Sequence, residues 1–257
     1  MPIMKRLSKI ARYGIGPEAK QRKQAEKARV RKKRFLEGGA WQRGDQFASR
    51  DYASYEEYVA HQTSKLDMII GRLRENEEED FVDFKRRFEA CAPLADARMV
   101  LCLGARLGTE VRALHALGHF AIGIDLNPGA DNPYVLPGDF HHVVFPDGSV
   151  DAIYTNAIDH VFDLEKMLGE VRRLLRPGGV FVFDITLGLD EEMVPGDFES
   201  IYWRDSEGMI EKVRELSGLG LVETRDLGRP RRDPWRQAVL RKPAQTEERK
   251  VERSLAG

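Results

Sequence analysis

Met99-Val100-Leu101-Cys102-Leu103-Gly104-Ala105-Arg106-Leu107-Gly108 sets the architecture of this 257-residue chain. Five apolar residues in a row read as a short strand buried on both faces, and the glycines that follow open a turn into a helix. That helix carries its apolar stripe at Leu107, Val111, Leu114 and Leu117 and is closed by Gly118. A second apolar run, Phe120 to Ile124, ends in Asp125, 21 residues beyond Gly104. Strand, glycine turn, helix, strand and acid begin a doubly wound α/β sheet, with Asp125 at the carboxyl edge where it can accept both hydroxyls of a ribose.

Two kinds of cofactor share that beginning. A dinucleotide fingerprint needs glycine at the first, third and sixth positions so that the backbone can approach a pyrophosphate; here they are Gly104, Arg106 and Thr109. One match in three argues against a nicotinamide dinucleotide. An adenosyl cofactor has no pyrophosphate and makes no such demand, and a central arginine can serve a carboxylate.

The chain beyond carries a family resemblance. Val135-Leu136-Pro137-Gly138-Asp139-Phe140, the stretch Phe145 to Asn156, a helix from Leu164 to Leu175, the turn Leu175-Arg176-Pro177-Gly178-Gly179 and the strand Val180 to Ile185 follow in order. Together they resemble the class I S-adenosylmethionine-dependent methyltransferases, closest to the small-molecule, type 11-like branch, over about Met99 to Gly188. The resemblance implies an α/β fold with a doubly wound, seven-stranded, mostly parallel sheet of Rossmann-like type, an added N-terminal helical segment, and S-adenosyl-L-methionine as cofactor. It also implies roles: Gly104, Ala105, Arg106 and Gly108 along the methionine part, Asp125 and Leu126 at the ribose, Asp139 at the adenine amine with Phe140 as an apolar wall, and Asn156 beside them. Asp125 and Asp139 have structural uses as well, as a helix cap before Pro128 and as a turn residue after Gly138. Two positions depart from the family pattern. Cys102 stands where an acid is usual and reads as a small buried residue; Arg106 stands where glycine is usual, either pairing with the methionine carboxylate or filling the pocket.

After the fourth strand comes Asn156-Ala157-Ile158-Asp159-His160-Val161-Phe162. A sulfonium methyl is already activated, so the remaining tasks are to place a nucleophile in line and to accept its proton. His160 is the candidate base on intrinsic pKa, with Asp159 orienting it or acting itself. The alternative is that His160 only closes over the cofactor and Asp159 caps the helix at Leu164. His141 and His142, adjacent on a strand, point opposite ways, and no metal is implied.

Outward from this core, a helix capped near Asp205 and strands over Leu219 to Asp226 and Trp235 to Lys242 complete the sheet. The loop Leu187 to Arg204 reads as a substrate lid or as aromatic packing. Trp41 to Leu94 reads as helical, with Tyr55, Tyr58, His61 and Gln62 covering the cleft. The chain thus divides into a basic arm (1–38), a helical cap (39–94), a methyltransferase domain (95–242) and a polar tail (243–257).

Charge is divided in the same way. The formal net charge of −1, from Lys+Arg 41 and Asp+Glu 42, conceals +10 over residues 1–38 and −11 over the remainder. A helix with Ile3, Met4, Leu7 and Ile10 on one face suits an anionic membrane surface, and the run Lys20 to Arg34 suits the phosphates of membrane or nucleic acid; the alternative is a solvated or partly disordered tail that binds neither. No apolar run approaches the roughly 18 to 20 residues of a membrane span, and Cys91 and Cys102 are too few for a disulfide framework or a zinc site, which predicts a cytoplasmic protein, peripheral at a membrane if the arm binds one. The expected function is methyl transfer to an O, N or C nucleophile of a small or medium-sized acceptor, free or glycan- or lipid-linked. The rivals are an RNA or protein methyltransferase recruited by the basic arm and a catalytically silent binding protein on the same scaffold.

Overall fold

The computed structural model describes residues 17–228 and 234–244. The amphipathic stretch expected over Ile3 to Ile10, the tip of the loop before Pro234 and the tail beyond residue 244 lie outside the described residues. Helix α1 (Pro17–Glu37), strands β1 (Trp41–Arg43) and β2 (Phe47–Arg50), and helices α2 (Tyr55–Glu75) and α3 (Glu77–Glu89) precede the core. The core runs β3 (Met99–Leu103), α4 (Thr109–Ala116), β4 (Phe120–Asp125), β5 (Val135–Pro137), β6 (Val150–Thr155), α5 (Leu164–Leu174) and β7 (Leu175–Thr186). It closes with β8 (Ile201–Trp203), α6 (Ser206–Ser217), β9 (Gly220–Gly228) and β10 (Trp235–Arg241).

Seven strands form one sheet in the order β5-β4-β3-β6-β7-β10-β9. The first five are parallel, and β10 is antiparallel to both β7 and β9. The chain winds one way from β3 to β5 and then crosses to β6 on the other side of β3. That reversal opens a crevice at the carboxyl ends of β3 and β6, where such sheets bind ligands.

Strand periodicity fills both faces. Leu101 and Leu103 of β3 pack with Met167 and Val171 of α5 and Met209 and Val213 of α6, while Val100 and Cys102 pack with Phe84 and Phe88 of α3 and Val111 and Leu114 of α4. Cys102 is fully buried, as its place on the strand requires. Asp163 accepts the Lys166 N–H and caps α5, so Asp159 does not, and Asp205 caps α6 through the Gly208 N–H.

Helix α3 is fixed to the sheet by a buried polar network. The Asp184 carboxylate, its side chain fully buried, pairs with Arg87 of α3 and accepts the Tyr154 hydroxyl (2.7 Å) and the Gln237 amide (2.8 Å). Arg87 also pairs with Asp83 at 3.0 Å, and Arg225 of β9 reaches the Gln237 amide oxygen and the carbonyl of Ala90.

Three segments differ from their sequence-based expectation. Trp41 to Arg50 is not helical: β1 and β2 are antiparallel, joined by a turn in which the Gly44 N–H donates to the Phe47 carbonyl (2.8 Å). The expected loop Leu187 to Arg204 contains β8, which pairs with β2 (Ala48 opposite Tyr202) to complete a second sheet, β1-β2-β8. Strands of three and four residues carry too little periodicity to be read without their partner. His141 and His142 lie in a tight turn rather than a strand, the His142 N–H donating to the Asp139 carbonyl (3.0 Å).

Candidate active site

The turn after β3 holds Gly104 (φ +71°), Arg106 (φ +46°) and Gly108 (φ +79°) in the left-handed region. Glycine is needed at both ends for a second reason: an added Cβ would lie 2.7 Å from Ala157 Cβ at Gly104, and 2.7 Å from Tyr134 Cβ at Gly108. Gly104 and the buried Ala105 both donate their N–H to the Ile124 carbonyl, tying the turn to the end of β4. A left-handed arginine costs about 1 to 2 kcal/mol. It is held because the Arg106 N–H donates to Asp125 Oδ2 (3.0 Å) and its carbonyl accepts the Asn132 amide (3.0 Å). Asp125 Oδ1 accepts the Asn127 N–H (2.8 Å), and each carboxylate oxygen keeps a second lone pair.

Along the same edge, Asp139 lies two residues past β5. Its Oδ1 accepts the N–H and the Nδ1–H of His141 (both 2.8 Å), and Oδ2 accepts the hydroxyl of Tyr55. Burial alone would raise this carboxyl; the hydrogen bonds from His141 and Tyr55 outweigh it and hold Asp139 at about 2. His141 Nε2 accepts the N–H of Asp163 (3.1 Å), which fixes the proton on Nδ1 and joins the β5 edge to the start of α5. The buried Phe140 ring lines Gly104, and the half-buried Leu126 and Asn156 follow β4 and β6.

Helix α2 lies across these ends. Tyr55 binds Asp139, the Thr63 carbonyl accepts the Asn127 amide (2.9 Å), and Gln62 donates to the Phe198 carbonyl (2.8 Å). His61 stacks on Phe198 with ring centres 4.9 Å apart. Tyr58, 1% exposed, packs on Tyr52, Tyr55, His141 and Phe162 and forms the inside of the cap. Lys65, on the same inward face, places Nζ 2.5 Å from His160 Nε2. Sequence reasoning missed this lysine, although its spacing from Tyr58, Gln62 and Ile69 puts it in the inward stripe.

Asp159 and His160 occupy a 3-10 turn after β6, with side chains 13% and 14% exposed and 3.6 Å apart. His160 Nδ1 donates to the Phe198 carbonyl (3.0 Å), leaving the Nε2 lone pair toward Lys65. Burial, then the charges of Lys65 and Arg106, push His160 well below its ordinary value, so the imidazole is neutral. Burial and the Glu199 charge push Asp159 up, against the pull of Lys65.

Glu110, in the first turn of α4, is another buried acid, pushed up to about 8 chiefly by burial. Its folded pKa lies above the ordinary value of 4.5, so its contribution to stability is complete below 4.5 and is lost as pH rises through 8. Glu110→Gln is therefore expected to flatten the fall of Tm between pH 5 and pH 8, with the variant melting several degrees above wild type at pH 8. Parallel melting curves check this; equal slopes would remove Glu110 from the pH response.

The arrangement is suited to a ligand with three kinds of polar group. Two carboxylates spaced along one edge match a diol and an amine, the left-handed turn after β3 lies at the same edge, and Arg106 supplies a cation for a carboxylate. These residues fit S-adenosyl-L-methionine. Among the described residues, no group of three or more His, Cys, Asp or Glu is arranged to hold a metal ion.

Residues 101–183 match the family model described as "Methyltransferase domain". Sterol 24-C-methyltransferase erg6 of Aspergillus fumigatus is 35% identical over 119 residues, covering 39% of this chain and 30% of that protein. Dimethylglycine N-methyltransferase of Parasynechococcus marenigrum is 32% identical over 114 residues, covering 38% and 41%. The fold matches the crystal structure of Burkholderia thailandensis 1,6-didemethyltoxoflavin-N1-methyltransferase, with bound 1,6-didemethyltoxoflavin and S-adenosylhomocysteine, at a TM-score of 0.61. Identity there is 17%, over 80% of this chain and all of that one. The chain spans well under half the length of the curated relatives it matches.

Proposed function

We propose that this chain, a class I S-adenosylmethionine-dependent methyltransferase, transfers a methyl group to an O, N or C nucleophile of a small or medium-sized acceptor. The observation that carries the reading is the conjunction at one sheet edge of the left-handed glycine turn with Asp125 and Asp139. S-adenosyl-L-methionine supplies the methyl as an activated sulfonium substituent. Asp125 binds the ribose hydroxyls with its remaining lone pairs, Leu126 lies against the sugar, and Asp139 accepts from the adenine amine beside the Phe140 wall. Gly104, Ala105, Arg106, Gly108 and Asn156 hold the methionine part, with the Arg106 guanidinium on its carboxylate. Asp159 and His160 line the acceptor side.

In this reading the chain comprises a basic arm over 1–38, a cap over 39–94 that contains β1 and β2 besides its helices, a methyltransferase domain over 95–242 and a tail over 243–257. The relatives' names span a sterol carbon and an amine nitrogen, so the acceptor atom is a matter for labelling with cell extract. Calorimetry with S-adenosylhomocysteine tests the reading directly: saturable binding is expected, and the absence of both heat and thermal shift would overturn it.

A second partner reading rests on α1. Lys27 to Arg34 are all exposed, six of these eight residues are Lys or Arg, and the helix is anchored at its end by the buried Phe35 against Trp41 and Tyr202. No described helix is long and apolar enough to cross a membrane. A basic helix without an apolar stripe contacts phosphates rather than inserting. Removing residues 1–34 is expected to abolish salt-sensitive binding to anionic vesicles or RNA while S-adenosylhomocysteine affinity stays unchanged; retained binding to both would show the arm to be inert.

A further inference from the structure

We infer that Lys65, brought to the cleft by the cap helix α2, accepts the proton of the acceptor's hydroxyl or amine, and that His160 positions it; the inference rests on the methyltransferase reading above. Lysine on an ordinary cap helix would extend its ammonium into water. Here the amine is 2.5 Å from His160 Nε2, and the Phe198 ring centre lies 5.6 Å from Nζ. Charged and titratable groups face it from every bounding element: His61 on its own helix, Arg106 from the glycine turn, Asp125 from β4, Asp159 and His160 from the turn after β6, and Glu199 from the segment before β8.

His160 is poorly placed to be the base itself. Its Nδ1–H is committed to the Phe198 carbonyl, and its Nε2 lone pair accepts from Lys65. A proton on Nε2 would set two cations against each other. A neutral Lys65 amine, by contrast, donates one N–H to His160 and keeps its lone pair for a substrate hydrogen. Phe198 carbonyl, His160 and Lys65 thus form a chain in which each group orients the next, the arrangement that aims a general base.

Electrostatics make the neutral amine available. Burial and the Arg106 charge push Lys65 down to about 7, against the pull of Asp159, Glu199 and Asp125. A sulfonium in the same cleft adds a further positive charge and drives the proton off. In the transfer, the nucleophile's electron pair forms the new bond to the methyl carbon and the pair of the carbon–sulfur bond returns to sulfur. The nucleophile's proton passes to Lys65 Nζ. The positive charge lost from sulfur reappears on the ammonium, so the transfer leaves the net charge of the cleft unchanged.

The test compares two ligands that differ by that charge. Calorimetry with S-adenosylmethionine and S-adenosylhomocysteine, from pH 6 to pH 8 and in buffers of different ionisation enthalpy, reads both affinity and protons released. For wild type, the affinity for S-adenosylmethionine relative to S-adenosylhomocysteine is expected to rise about tenfold over that range, with up to one extra proton released near pH 7. In Lys65→Met the ratio should be independent of pH and the extra proton absent. In Lys65→Arg, which cannot lose its charge, S-adenosylmethionine should bind about tenfold more weakly than S-adenosylhomocysteine at every pH. A flat wild-type ratio, or a pH dependence that persists in Lys65→Met, would overturn the assignment. Loss of S-adenosylhomocysteine binding by wild type would instead overturn the methyltransferase reading, and the arginine variant keeps the test decisive if the methionine variant fails to fold.

Discussion

Asp125→Ala is expected to weaken S-adenosylhomocysteine binding by about a hundredfold or more. Two losses combine. Hydrogen bonds from a ribose to a charged acceptor contribute about 1.5 to 3 kcal/mol each, and a hundredfold is about 2.7 kcal/mol, so the direct contacts alone reach that size. The second loss is organisational, because Asp125 also holds the Arg106 N–H at 3.0 Å and the Asn127 N–H at 2.8 Å. Without it the left-handed turn loses the bond that keeps Arg106 in place. Asp125→Asn retains one acceptor oxygen and is expected to fall between wild type and alanine. Calorimetry on variants of unchanged secondary structure measures this; an alanine variant that binds within threefold of wild type would remove Asp125 from the site.

Asp184→Ala is expected to destabilise the fold by about 3 to 5 kcal/mol, because it removes the fully buried one of the two carboxylates that pair with the buried guanidinium of Arg87. Burial by itself pushes the Asp184 carboxyl up; Arg87, Tyr154 and Gln237 are the groups that favour its charged form. Deleting it takes the acceptor from the Tyr154 hydroxyl and the Gln237 amide and leaves Arg87 with Asp83 alone. At about 2 to 4 °C per kcal/mol for a chain of this size, the loss corresponds to a Tm roughly 10 °C lower. The paired change Arg87→Met with Asp184→Leu is expected to recover part of that loss, since apolar replacement of both partners removes the stranded charge. Denaturant unfolding decides: a single variant within 1 kcal/mol of wild type would show that the network is not holding α3 to the sheet.

Much of the core was legible in the sequence because its signals are local. The apolar run Met99 to Leu103, the glycines at 104 and 108 and the acid at 125 each follow from a strand, a turn and an edge that neighbouring residues define. Asp125 and Asp139 could be located for the same reason, although the bonds that Asp125 makes to the turn could not. What was not legible depends on distant partners. β2 is a strand because β8 pairs with it, and Asp139 Oδ2 accepts one hydrogen bond from Tyr55, 84 positions earlier in the chain. Lys65 illustrates the limit most clearly: its helical face was visible, but the amine acquires its chemistry only where α2 crosses the end of β6.

The small β1-β2-β8 sheet has a consequence for how the molecule is made. Ala48 finds Tyr202 only after 154 further residues have been added, and contacts of such long separation form late because the loop between them must first be closed. On the ribosome, β2 emerges long before its partner exists, while the parallel strands β3 to β7 are all completed ahead of β8. The nascent chain can therefore assemble the ligand edge, with α2 already held to it through Tyr55 and Thr63, before β2 is fastened to β8.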